Sequence, residues 1–118
     1  MRWFKSMNEI EWSDFEKIEL RVGTIIEVSD FPKAKKPAYI LYVDFGSEIG
    51  IKKSSAQITE LYEKSELLGK QVIAVVNFPP KQIGPIISEC LVTGFHSSTG
   101  GVVLAVPDKV VQNGAKMA

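Results

Sequence analysis

The stretch ITELYEKSELLGK, residues 58–70, decides the fold of this chain, because it is the one segment with a clear helical pattern. Leu61 and the Leu67-Leu68 pair supply its apolar positions. Gly69 is suited to end the helix, since glycine readily takes the left-handed conformation found at helix C-termini. The pattern also allows a break near Ser65. We therefore predict one helix near the middle of the chain.

On both sides of this segment the chain alternates between short apolar runs and turns. The runs are rich in β-branched and aromatic residues, which favour strands. In AYILYVDF, period-two alternation puts Ile40, Tyr42 and Asp44 on one face and the residues between them on the other. Gly23 in the first run predicts a bulge or a sharp bend. The predicted strands are 21–28, 38–45, 51–54, 71–78, 89–95 and 102–107, the last two forming a pair.

A single helix between the third and fourth strands fits the five-stranded Greek-key barrel called the OB-fold, which binds oligonucleotides on one strand face and the adjoining loops. A plain β-sandwich is the alternative, and the mid-chain helix favours the barrel. A second, short helix is predicted over residues 13–19, with Ser13 as N-cap and Glu16 completing a capping box. We expect an all-β chain with an extension over residues 1–12 and one OB-fold domain over residues 13–118.

The composition is that of an ordinary globular domain. Hydrophobic residues make up 45% of the 118 residues and charged residues 24%. No apolar run approaches the roughly 20 residues that span a bilayer, and the N-terminus lacks the pattern of a signal peptide. A single cysteine, Cys90, leaves no intramolecular disulfide and suits a reducing compartment. We therefore expect a cytoplasmic protein without membrane insertion.

Nothing in the sequence predicts catalysis. There is one histidine, His96, and no CxxC, HExxH, GxSxG, GxGxxG or P-loop pattern. Cys90 lies in a predicted strand, where a lone cysteine usually behaves as a small buried hydrophobe rather than a nucleophile. We expect a protein that is not an enzyme and that has no metal site and no cofactor.

The lysines are unevenly distributed, although the formal net charge is zero. Lys33, Lys35 and Lys36 crowd one predicted loop, and Lys52-Lys53 follows soon after. Such a cluster is either ordinary solvated surface or a phosphate-binding face. Lys52 and Lys53 are adjacent in an extended segment, so at most one of them joins a given surface.

The segment NFPPKQIGPIISECL, residues 77–91, interrupts the strand pattern with a stiff and polar loop. Two consecutive prolines restrict its backbone, and Lys81 offers a point charge suited to phosphate. Asn77, Ser88 and Glu89 add groups that can hydrogen-bond to bases or ribose. The alternative is that the prolines merely stop the strand and Glu89 pairs with a nearby lysine. The residues alone leave both interpretations open.

These residues resemble a known family, the tRNA-binding domains that occur alone or appended to aminoacyl-tRNA synthetases. Asn77 with Ser88-Glu89 matches the signature of the whole family. PAYILYVDFG and GIKKSSAQIT are specific to its CsaA branch, the export-related chaperones. Where the broader motif has glycine and methionine after Ser-Glu, this chain has Cys90 and Leu91. The matching stretches are 14–28, 35–59, 75–84 and 88–94, with a looser match over 106–118.

The resemblance implies an OB-fold homodimer that binds tRNA through its shape, at the outer corner of the L. Membership of the CsaA branch implies, as an alternative function, chaperone-like binding of unfolded or precursor polypeptides bound for secretion. By the same resemblance, four residues would line the RNA site and three lysines would make supporting phosphate contacts. The site residues are Asn77, Lys81, Ser88 and Glu89, and the supporting lysines are Lys33, Lys36 and Lys53.

The first twelve residues precede the usual start of the family. They contain Trp3, Phe4 and Trp12. They form either an arm that packs on a dimer partner or a leader without fixed structure.

Overall fold

A computed structural model describes residues 7–118 as a small barrel of short strands. The predicted arm residues Trp3 and Phe4 lie outside the described residues. The elements are α1 (Trp12–Glu16), β1 (Leu20–Asp30), β2 (Tyr39–Asp44), β3 (Ile51–Ala56), α2 (Lys64–Leu67), β4 (Gln71–Val75), β5 (Lys81–Ile83), β6 (Ile86–Ser88), β7 (Leu91–Val92), β8 (Gly94–His96) and β9 (Val102–Leu104).

Five strands form one antiparallel sheet in the order β3-β2-β1-β4-β7, and this sheet curls into a nearly closed barrel. The predicted OB-like barrel is confirmed. β1 makes the curl possible because its first half pairs with β4 and its second half with β2. The bulge lies between Ile25 and Glu27 rather than at Gly23 as predicted. Position 23 requires glycine for a different reason: any Cβ there would clash with the core, lying 2.6 Å from Val43 Cγ1.

Alternation along β2 builds the core, as predicted. Leu41, Val43 and Phe45 are buried inside the barrel, whereas Tyr42 and Asp44 between them are only half-buried. Each fully buried side chain of this size contributes about 1.5–3 kcal/mol of hydrophobic stabilisation. The largest fully buried residues are Ile25, Leu41, Val43, Phe45, Leu67 and Val72. The core therefore consists of the inner faces of the strands together with Leu67 of α2.

The mid-chain helix is much shorter than predicted. α2 covers only Lys64–Leu67, and its first turn is held by the Glu63 N–H, which donates to Glu66 Oε1 at 2.8 Å. Tertiary packing decides this length, because Leu67 must enter the core and Gly69, with φ of +84°, then turns the chain into β4. The predicted position of the helix is right, and its predicted extent is wrong.

The N-terminal helix starts earlier than predicted. Its N-cap is Glu11, whose N–H donates to Asp14 Oδ2 at 2.8 Å, so the predicted Ser13 cap is wrong. α1 ends at Glu16 because the backbone groups of Lys17 and Glu19 hydrogen-bond to the side chain of Asn77, which directs the chain into β1. Trp12, assigned by the sequence to the extension, begins this helix and stacks obliquely on Phe15 with ring centroids 5.3 Å apart.

The C-terminal segment completes the barrel on the side of β1 that no strand covers. Met117 donates its N–H to Leu20 O at 2.8 Å, and Gly114 donates to Val22 O at 2.7 Å. The predicted Asn113-Gly114 turn is confirmed, with Gly114 at φ +92°. The predicted pairing of the last two strands is also confirmed, as the β8–β9 hairpin. No helix within residues 7–118 combines the length and hydropathy needed to cross a membrane.

Candidate nucleic-acid interface

The polar segment after β4 contains a β-hairpin where the sequence predicted a loop. β5 pairs with β6, so that Lys81 lies opposite Ser88. Gly84 adopts a φ of +58° in the turn, and the Gln82 amide donates to Gly84 O at 2.6 Å. The turn pair Gly84-Pro85 between two short apolar runs was the signal in the sequence that could have revealed this hairpin. A hairpin holds Lys81 in a fixed position more firmly than a loop would.

A cleft of about 490 Å³ lies between this hairpin and β3. It brings together Lys81 and Ser88, two of the predicted site residues. It also contains Phe78, which is 55% exposed and which no pattern in the sequence had marked as a site residue. The lining residues are Ser55, Phe78, Pro79, Lys81, Ile83, Ser88, Cys90 and Leu91.

Strand register places Lys53 on the outer face beside this cleft. Lys53 lies opposite Tyr42, and Ser55 lies opposite Ile40, on the face of β2 that points away from the core. Lys52 lies opposite the buried Val43 and therefore belongs to the other face. The two lysines therefore lie on opposite faces of β3, as their adjacency predicted.

The lysine-rich loop meets the tip of the hairpin. A Cβ on Gly84 would lie 3.6 Å from Phe31 Cζ, so the turn of the hairpin packs beside the start of the loop. Lys33 and Lys36 in that loop are exposed. Within residues 7–118, the ion pairs involve Arg21 and other lysines, and Lys33, Lys36, Lys53 and Lys81 take part in none. This end of the barrel thus carries lysine ammonium groups that are not held in ion pairs, although the Glu89 carboxylate lies beside the backbone of Lys53.

Asn77 lies two residues after the end of β4, and both polar atoms of its side-chain amide already have hydrogen-bond partners. Its Oδ1 accepts a hydrogen bond from Glu19 N at 3.0 Å, and its Nδ2 donates to Lys17 O at 2.7 Å. Both atoms therefore bind the backbone that links α1 to β1. In this arrangement Asn77 fixes the chain entry into the barrel, and its amide would have to leave these partners to contact RNA.

Ser88 and Glu89 are likewise bound to the backbone of β3. Lys53 N donates to Glu89 Oε1 at 2.9 Å, and Glu89 N donates to Lys53 O at 2.8 Å. Ser55 N donates to Ser88 Oγ at 3.3 Å. We call this two-residue connection the Ser88-Glu89 strap. It joins the edge strand β3 to the segment before β7 and so closes the barrel directly beside the cleft.

Cys90 forms part of the apolar floor of the cleft. It is buried, and burial raises the pKa of its thiol to about 12. The thiol therefore stays protonated and uncharged at neutral pH, as predicted for a small buried hydrophobe. Among the residues that the structure describes, no group of three His, Cys, Asp or Glu side chains converges on a possible metal position.

A second, larger cleft of about 620 Å³ lies between the C-terminal segment and the β2–β3 turn, but its cations are already paired. Glu19 binds Arg21 at 2.7 Å and Lys116 at 3.1 Å. The hydrogen bond from Arg21, aided by Lys116, lowers the pKa of the Glu19 carboxyl and keeps it ionised. This cleft therefore offers a polyanion less free positive charge than the lysine-lined end, despite its size.

The family model described as "Putative tRNA binding domain" matches residues 20–116 of the chain. Among curated relatives, methionine–tRNA ligase from Pyrococcus horikoshii is 40% identical over 113 residues, 96% of this chain. The corresponding ligase from Methanocaldococcus jannaschii is 34% identical over the same share. The chain spans only about 15–17% of the length of these ligases.

Among the solved structures that match over nearly the whole chain are two CsaA proteins. The CsaA chaperone protein from Picrophilus torridus is 55% identical, with a TM-score of 0.88, and the match covers 93% of this chain and all of that one. The chaperone CsaA from Bacillus anthracis is 43% identical, also with a TM-score of 0.88, and covers 94% of this chain and all of that one.

Proposed function

Because this chain belongs to the tRNA-binding domain family and to its CsaA branch, we propose that it is a non-catalytic protein that binds tRNA at the lysine-lined end of the barrel. The observation that carries the proposal is the placement of four lysines: Lys81 lines the cleft, Lys53 is on the same strand face as the cleft residue Ser55, and the loop of Lys33 and Lys36 starts at Phe31, beside the hairpin turn. They come from a loop, a strand and a hairpin, and within residues 7–118 none is paired with a carboxylate.

This arrangement suits recognition by shape. Lysine contacts to phosphates position a protein on RNA without reading its sequence. The strands and hairpin that carry Lys53 and Lys81 hold the charges at fixed spacings, so the surface selects RNA whose phosphates match that spacing. A folded tRNA offers such a surface, and its shape rather than its sequence would decide binding. We place this activity in the cytoplasm, where tRNA is available.

The direct test is the affinity for tRNA measured as a function of salt concentration. We expect binding at low salt that weakens as salt rises, with a logarithmic slope of about −3 if four lysines each displace counterions from a phosphate. The slope should be the same for tRNAs of different sequence. A fluorescence titration with several purified tRNAs measures both quantities. The absence of binding to any tRNA at low salt would reject the proposal.

We extend the proposal to a homodimer. Phe95 and Val103, which face each other on the β8–β9 hairpin, are both exposed apolar residues. A two-fold symmetric contact through such a surface would present two lysine-lined ends to one RNA. Light scattering should then give about twice the 13.1 kDa mass of the chain, and a mass near that of one chain would contradict the dimer.

A second candidate function is the binding of unfolded or precursor polypeptides. It is favoured by the CsaA chaperones among the similar structures and by the apolar part of the cleft. If it holds, a molar excess of the protein should suppress aggregation of a chemically unfolded client, and the effect should depend little on salt. Light scattering by the client with and without the protein measures this. Unchanged aggregation at excess protein would argue against a chaperone role.

A further inference from the structure

The cleft between β3 and the β5–β6 hairpin combines an exposed aromatic ring with a cationic rim. Phe78, Pro79, Ile83 and Leu91 make one side apolar. Lys81 lies within the same cleft, and the hydroxyl-bearing Ser55 and Ser88 complete the lining. A ligand that fills this cleft therefore needs a flat apolar part, polar edges and a negative group close by.

We propose that the cleft holds one unpaired nucleobase of the bound RNA, stacked on Phe78, while Lys81 contacts a phosphate of the same nucleotide. This inference rests on the proposed tRNA-binding function and names the part of the RNA that the cleft receives.

The exposure of Phe78 is the first argument. Phe78 is 55% exposed, whereas Phe31 and Phe45 are buried and serve the packing of the barrel. Bases stack on exposed aromatic side chains of OB-folds, and this stacking tolerates any base because every base has an aromatic face. Pro79 and Pro80 follow Phe78 and restrict the backbone that carries the ring, so less backbone freedom is lost when a base binds.

The size of the cleft is the second argument. About 490 Å³ lies in the range of sites for small molecules and is far too small to admit a helix of paired RNA. In a double helix the bases are stacked inside, so a base can enter the cleft only from a loop, a bulge or an end. The cleft therefore selects for unpaired nucleotides. The surrounding lysines do not distinguish paired from unpaired RNA, because both carry phosphates.

Charge complementarity is the third argument, and it favours RNA over an apolar peptide. Lys81 within the cleft and Lys53 beside it make no ion pair with any residue of the described range 7–118. An apolar side chain of a polypeptide would bury the cleft wall but would leave these cations without partners. A nucleotide satisfies both requirements at once, because its phosphate lies next to its base.

The test compares variants of Phe78 on single-stranded and double-stranded RNA. A labelled single strand, and the same strand annealed to its complement, are titrated with the wild type, Phe78→Leu and Phe78→Tyr. We expect Phe78→Leu to weaken single-strand binding about 10-fold, because leucine keeps apolar bulk but cannot stack, and to change duplex binding by less than about twofold. Phe78→Tyr should match the wild type. Unchanged thermal unfolding of both variants checks that the fold is intact.

A strand with abasic nucleotides isolates the base from the phosphate. It keeps every phosphate, so lysine contacts persist, but the wild type and Phe78→Leu should now bind it equally. If Phe78→Leu binds the ordinary strand as tightly as the wild type, the stacking proposal is overturned while tRNA binding stands. If Phe78→Leu loses only unfolded polypeptide and not RNA, the cleft is a polypeptide site and the proposal is likewise overturned. If the wild type binds no RNA at all, the proposed function itself fails.

Discussion

Replacing Lys33, Lys36, Lys53 and Lys81 together by alanine is expected to lower the affinity for tRNA by roughly 10²–10³ at about 0.1 M salt. Each lysine that contacts a phosphate releases condensed counterions, and each such contact adds about 0.7–0.9 to the logarithmic salt slope. The variant should therefore bind weakly and with a nearly flat salt dependence. A salt series of fluorescence titrations measures both the affinity and the slope.

The matched control for this prediction removes charge elsewhere on the barrel. Lys70 and Lys109 lie near the start of β4, where Gln71 binds Val111, whereas the cleft lies beyond the end of that strand. The double variant Lys70→Ala/Lys109→Ala should bind tRNA almost as the wild type does, and Lys36→Ala/Lys81→Ala should not. Equal losses in the two double variants would mean that net charge, rather than this surface, governs binding.

Glu89→Ala is expected to lower the free energy of unfolding by about 1.5–3 kcal/mol, since it removes a charged acceptor from a partly buried backbone donor. The donor is Lys53 N, which has Glu89 Oε1 as its partner at 2.9 Å. Glu89→Gln keeps an oxygen in that position and should cost less than about 1 kcal/mol. Urea unfolding of the three proteins measures the differences.

The same pair of variants decides what Glu89 does for RNA. If Glu89 accepts a hydrogen bond from a base or a ribose, Glu89→Gln should weaken tRNA binding, because a charged acceptor becomes a neutral one. If Glu89 instead acts through the Ser88-Glu89 strap, Glu89→Gln should bind tRNA as well as the wild type or better, since a negative charge beside Lys53 is lost. We expect the second result. A loss of affinity without a loss of stability in Glu89→Gln would assign Glu89 to direct contact.

The strap changes how the family signature is understood in this chain. Ser88 and Glu89 were predicted as RNA-contacting residues by resemblance, and so was Asn77. In the structure all three bind backbone groups that lie 33 to 60 residues away along the chain. Their first effect is to close the barrel and to hold β3, which carries Lys53, next to the hairpin, which carries Lys81. A role in RNA binding through this positioning is consistent with both the signature and the geometry.

Family membership and fold class could be predicted from the sequence, and both predictions are confirmed. The reason is that they depend on local patterns. The alternation of Leu41, Val43 and Phe45 sets which face of β2 enters the core, whatever the partner strand is. In the same way, the adjacency of Lys52 and Lys53 was enough to separate them onto two faces.

Other features depended on residues far apart in sequence, and only the tertiary structure decided them. The length of α2 follows from the docking of Leu67 in the core, and the end of α1 follows from the bonds of Asn77 to Lys17 and Glu19. The cleft exists because the hairpin is held against β3, so Phe78 gains its role from neighbours that no local pattern reveals. Periodicity and charge are properties of neighbouring residues, whereas a binding surface is made where distant segments meet. The sequence alone therefore determined the barrel and its lysines, and the closure of the barrel determined which distant segments form the cleft that Lys81 lines.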